Sequence, residues 1–170
     1  MAEMKTILLL RHGVSDPDES LQDTERPLAS QGRRDARRIG GLLRRLGLKP
    51  DLVASSPALR ARDTAALVAG GSGKMAKILV DPRLYEADAD GYLEVLRGLP
   101  ARANRVLLVG HNPGIRRAAS ALLGGGPASL RLPPAAMACL ETSSGDWAAL
   151  QPGSCVLQWL VAPELIAACR

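Results

Sequence analysis

The chain has 170 residues, 46% of them hydrophobic and 23% charged, with a net charge of +5 at pH 7. That length suits one domain, and the composition excludes a disordered or fibrous chain. The basic excess favours anionic substrates, but only Trp147, Trp159, Tyr85 and Tyr92 could stack on bases and no nucleic-acid motif is present, so nucleic-acid binding is not expected.

Taken in chain order, Thr6 to Leu10 reads as a buried strand. The segment 13–28, with Ser15, Asp16, Asp18, Glu19 and Asp23, reads as an acidic loop, either mobile or a rim of a site. Ser30 to Leu46 reads as a helix capped by Ser30 and ended by Gly47, because Ala36, Ile39, Leu42, Leu43 and Leu46 recur at spacings of three and four. Asp51 to Ser55 is a second strand. Pro57 to Val68 is a helix with Ser56 as its cap. Gly70-Gly71-Ser72-Gly73 reads as a loop, and Lys77 to Val80 as a third strand. Asp90 to Arg97 reads as a short helix and Val106 to Val109 as a buried strand. Asn112 is expected to cap a helix running from Pro113 to about Leu123. Gly124-Gly125-Gly126 is a loop, and two strands close the chain near Ala136 to Glu141 and Cys155 to Val161. The alternation predicts an α/β fold: a three-layer α/β/α sandwich with a mainly parallel central sheet, in a single domain.

Ligands of such sheets bind beyond the carboxyl ends of the strands. The two histidines of the chain both fall there: His12 directly after the first strand, and His111 directly after the fourth. Arg60 lies in the first turn of the helix after the second strand, at the same edge. A guanidinium beside the positive end of a helix suits a phosphate. Zinc wants three or four ligands, and here the neighbours are arginines, so no metal and no cofactor is expected. The cysteines, Cys139, Cys155 and Cys169, are odd in number and widely spaced, so no disulfide framework is expected. The first ten residues hold only four consecutive apolar ones, Ile7 to Leu10, too few for a secretory signal. No stretch reaches the length of a membrane span. The expected location is the cytoplasm, without membrane association, and the oligomeric state is open.

Arg11-His12-Gly13, Ser56-Pro57-x-x-Arg60-Ala61 and Gly110-His111-Asn112-Pro113-Gly114, in that order, resemble the histidine phosphatase (phosphoglycerate-mutase-like) superfamily. Arg26-Pro27-Leu28 followed by Gly32, then Leu84-Tyr85 and Asp146-Trp147, resemble its short SixA-like branch. The resemblance runs from about Lys5 to Leu165. It implies one histidine phosphatase domain over residues 1–170, without a large cap insertion. It implies that His12 becomes phosphohistidine, with Arg11, Gly13, Arg60 and a protonated His111 around the phosphoryl oxygens. The implied activity is a metal-independent phosphatase acting on a phosphorylated protein, as a phosphohistidine phosphatase. The alternatives are a phosphomonoesterase of a small metabolite, or a phosphate-binding protein without turnover. Glu86, after Leu84-Tyr85, falls where wider members of the superfamily carry a general acid, with Asp16 a weaker candidate.

Overall fold

The computed structural model describes residues 4–73, 77–125 and 130–169. Six strands form one sheet: β1 (Lys5–Arg11), β2 (Leu52–Ser55), β3 (Ile78–Val80), β4 (Arg105–Gly110), β5 (Met137–Thr142) and β6 (Val156–Val161). Their order across the sheet is β3-β2-β4-β1-β5-β6. The first four in that order run parallel. β5 is antiparallel to both β1 and β6, so it alone points the other way. The expected mainly parallel sheet is present.

The alternation of side chains along β1 and β4 explains why helices cover both faces. Ile7, Leu9, Val106 and Leu108 pack under α3 (Ala89–Arg97) and α4 (Gly114–Leu122). Leu8, Leu10, Leu107 and Val109 pack under α1 (Ser30–Arg45), α2 (Leu59–Gly71) and α5 (Pro163–Ala168). Ala36, Ile39 and Leu43 of α1 are fully buried, as their spacing predicts. A buried Ile or Leu of this kind contributes about 1.5–3 kcal/mol. Leu46, the last member of the predicted stripe, lies past the helix end and is 50% exposed. Gly47 follows with φ +68°, a left-handed conformation that ends the helix without steric cost. Lys5 is buried, and its ammonium is satisfied by Ala101 O, Ala103 O and Asn104 Oδ1 at 2.8, 3.0 and 3.0 Å.

Three helix starts depart from expectation. α1 begins at Ser30 itself, with Ala29 at the cap position and no side-chain cap. α2 begins at Leu59, two residues late; the Ser56 hydroxyl accepts the Ala58 N–H at 3.3 Å and also lies 2.8 Å from His111 Nε2. α4 begins at Gly114 with Pro113 at the cap position; Asn112 donates its amide to Leu132 O at 2.9 Å, and its buried Oδ1 has no partner. Gly70 and Gly71 belong to the last turn of α2 rather than to a loop. Gly126 lies outside the described residues. The helix α5 is not anticipated in the sequence; it packs on α1, with Ile166 buried.

Candidate active site

Three neighbouring parallel strands end side by side. Arg11 of β1 pairs with Gly110 of β4, and Ser55 of β2 pairs with Val109 of β4. The next residues, His12, His111 and Ser56, therefore leave the sheet together. The two imidazole rings stand 4.9 Å apart, centre to centre, tilted at 57°. Both are half-buried.

His12 Nδ1 lies 2.7 Å from the carbonyl oxygen of Gly13. A carbonyl only accepts, so Nδ1 carries the proton and Nε2 keeps its lone pair. Burial lowers the His12 pKa to about 4; the Gly13 carbonyl opposes that shift, and Arg60 and Arg11 reinforce it. His111 falls to about 3, first through burial and then through His12 and Arg60. Both rings are neutral at pH 7 in this state. The protonated His111 that the resemblance implies belongs to a pocket holding a phosphoryl group, whose negative charge favours the cation.

Each ring is held from behind. His111 donates its backbone N–H to the Tyr92 hydroxyl at 3.0 Å, and its Nε2 lies 2.8 Å from Ser56 Oγ. Gly13 donates its N–H to Thr64 Oγ1 at 3.0 Å, and Thr64 donates to Arg60 O at 2.7 Å. Thr64 thus joins the His12 loop to the helix that carries Arg60. The Gly13 N–H and carbonyl are both engaged, and an added Cβ would lie 3.0 Å from Gly32 Cα and Gly32 O, so the close packing here admits only glycine.

The two arginines differ. Arg11 donates through Nη1 to Leu132 O at 3.1 Å, while its buried Nε has no partner. Burial lowers its pKa. Arg60 is buried, and both of its terminal nitrogens donate to Asp23: Nη1 to the backbone carbonyl, Nη2 to Oδ2 at 2.8 Å. Asp23 Oδ2 also accepts the Tyr85 hydroxyl at 2.6 Å. The Tyr85 ring meets His111 edge-on at 5.6 Å. The acidic loop is thus a rim of the site, bound to it through Asp23. Glu86 lines a cavity of about 330 Å³ beside His111, together with Tyr85, Asp88 and Arg117. Asp16 does not reach the imidazoles in any described contact; its backbone carbonyl accepts from Arg26 Nε at 2.9 Å.

The sequence brings together His12, His111, Arg11 and Arg60 and offers Asp23 within a candidate rim loop; Ser56, Thr64, Tyr85 and Tyr92 are members of the constellation that it does not single out. Tyr85 and Ser56 lay inside quoted motifs, which was a usable signal. Thr64 and Tyr92 look like ordinary helix residues until the fold is known. Among the described residues no three His, Cys, Asp or Glu side chains gather as a metal group. Nor is any described helix long and apolar enough to cross a membrane.

An unprotonated imidazole nitrogen beside two guanidiniums and a second imidazole, at the carboxyl edge of an α/β sheet, points to proteins that transfer phosphoryl groups through histidine. The comparisons agree. The family model of the histidine phosphatase superfamily (branch 1) matches residues 7–94. The candidate phosphohistidine phosphatase SixA of Nakamurella multipartitia superposes with a TM-score of 0.82 at 30% identity, over 95% of this chain and 98% of that one. A protein histidine phosphatase SixA bound to tungstate shares the fold, with a TM-score of 0.79 at 22% identity over 95% and 99% of the two chains. An uncharacterized chloroplastic protein of Arabidopsis thaliana is 34% identical over 94% of this chain and 78% of its own. The chain belongs to the histidine phosphatase superfamily, in its SixA-like branch.

Proposed function

We propose that the chain is a metal-independent phosphohistidine phosphatase in which His12 Nε2 takes up the phosphoryl group. The observation that carries this is the bond from His12 Nδ1 to Gly13 O, which leaves Nε2 unprotonated with a free lone pair, on a ring 4.9 Å from that of His111. In the first step Nε2 bonds to phosphorus as the bond to the leaving nitrogen breaks. In the second, water attacks the phosphoryl group, the bond to Nε2 breaks, and inorganic phosphate departs. Arg11, Arg60 and His111 spread the charge on the equatorial oxygens. A phosphate dianion next to His111 raises the pKa of that ring, so its proton arrives with the substrate. The arginines repel a metal cation and supply the charge one would bring.

A departing imidazole needs little help from an acid, whereas an alkyl oxygen needs a proton. Glu86, which lines the cavity beside His111, is the candidate donor of that proton. The SixA name of the structural neighbour supports phosphohistidine as substrate. The half-buried histidine pair, reachable from outside, is compatible with a protein surface.

The test is a comparison of rates on a chemically phosphorylated histidine protein and on a panel of sugar phosphates and nucleotides, with and without chelator. Phosphohistidine is expected to be the best substrate, with chelator-insensitive rates. Rapid turnover of one metabolite and none of phosphohistidine would assign the chain to metabolite phosphatases. Turnover of neither would leave a phosphate-binding protein.

A further inference from the structure

The loop between β1 and α1 brings an anion into a pocket built for anions. Asp23 opens the 3₁₀ turn Asp23–Glu25. Its carboxylate takes Arg60 Nη2 at 2.8 Å and the Tyr85 hydroxyl at 2.6 Å, and its backbone carbonyl takes Arg60 Nη1. Arg26 stands 3.4 Å from its other oxygen and ties the turn to the loop through Asp16 O at 2.9 Å and Ser15 Oγ at 3.0 Å. These donors, Tyr85 foremost and then Arg60, lower its pKa to about 2, so it is ionised at any working pH.

A guanidinium grips phosphate with its terminal nitrogens, two N–H groups to two oxygens, and a carboxylate satisfies the same fork. Here Asp23 already holds one N–H of each terminal nitrogen. The Arg60 side chain is only 8% exposed, while the Asp23 side chain is 50% exposed and faces solvent. The mobile partner of that ion pair is therefore the carboxylate.

We propose that Asp23 is the resident anion of the phosphate pocket: its carboxylate neutralises Arg60 until an arriving phosphoryl group shares or displaces it. Asp23 then acts as a specificity residue. It weakens the hold on small free anions, inorganic phosphate among them. A substrate that makes further contacts overcomes the competition, and the released phosphate does not stay. This rests on the reading of Arg60 as a phosphate ligand.

The experiment measures inhibition of aryl phosphate hydrolysis by vanadate and by inorganic phosphate, for the wild type, D23N and D23A. Asn keeps the shape and an acceptor for Arg60 and Tyr85 and removes the charge. A half-exposed ion pair of this kind predicts inhibition constants roughly two- to fivefold lower in D23N. D23A should shift in the same direction, and thermal midpoints report that both variants fold. Structural damage or loss of Arg60 positioning would weaken anion binding, so tighter binding cannot come from either. Unchanged or weaker inhibition in both variants overturns the proposal. A wild type that does not hydrolyse the aryl phosphate overturns the phosphatase reading itself.

Discussion

Thr64→Val tests whether the His12 tautomer is held from behind. The Thr64 hydroxyl is fully buried; it accepts the Gly13 N–H at 3.0 Å and donates to Arg60 O at 2.7 Å. Valine keeps the shape and removes the oxygen, leaving the Gly13 N–H buried without an acceptor. Such a loss costs about 1–3 kcal/mol. In a chain of this size each kcal/mol lowers the melting midpoint by roughly 2–4 °C, so a fall of several degrees is expected. The Gly13 carbonyl is the acceptor for His12 Nδ1, so the same peptide then holds the imidazole less firmly. Misplacing a reacting group by about 1 Å costs up to about a hundredfold, and we expect kcat to fall roughly ten- to a hundredfold. Thr64→Ser keeps the oxygen and loses a methyl group. It should cost about 1 kcal/mol of stability while kcat stays within about threefold. Steady-state kinetics on an aryl phosphate and calorimetry of the three proteins decide the matter. A T64V protein with wild-type kcat and melting midpoint would refute this reasoning, as would a T64S protein that loses as much activity as T64V.

Protonation of the histidines sets two further outcomes. His12 must be neutral to attack, and its pKa is lowered to about 4, so kcat/KM corrected for substrate ionisation should stay level from pH 7 to about 5 and fall only near 4. A midpoint near 6.5 would show an unperturbed imidazole. For stability, His12 and His111 titrate in the folded state at about 4 and about 3, below their unfolded value near 6.5. The unfolded chain therefore binds more protons between those limits, and stability should drop as pH falls from about 6.5 towards 3–4. His111→Gln should flatten that slope in a pH series of melting curves. Tyr92→Phe removes the acceptor of the His111 N–H and should lower stability by about 1–3 kcal/mol.

The sheet and the edge where the site lies were legible because both follow from local patterns. Apolar runs such as Ile7–Leu10 and Val106–Val109 mark buried strands, and residues just beyond them fall at the ligand edge. That rule brought out His12 and His111 without any knowledge of which strands are neighbours. The grip on those rings was not legible, because its bonds join segments far apart in the chain. Asp23 meets Arg60 and Tyr85 across 37 and 62 positions, and Gly13 meets Thr64 across 51. Only strand order brings such groups together.

The most direct measurement is to quench the enzyme during turnover of a ³²P-labelled substrate and map the label by mass spectrometry, alongside His12→Ala. The account predicts an alkali-stable, acid-labile phosphoryl group on His12, and in His12→Ala neither label nor turnover, with an unchanged circular dichroism spectrum. A label on Ser56 or His111, or wild-type turnover by His12→Ala, would contradict it.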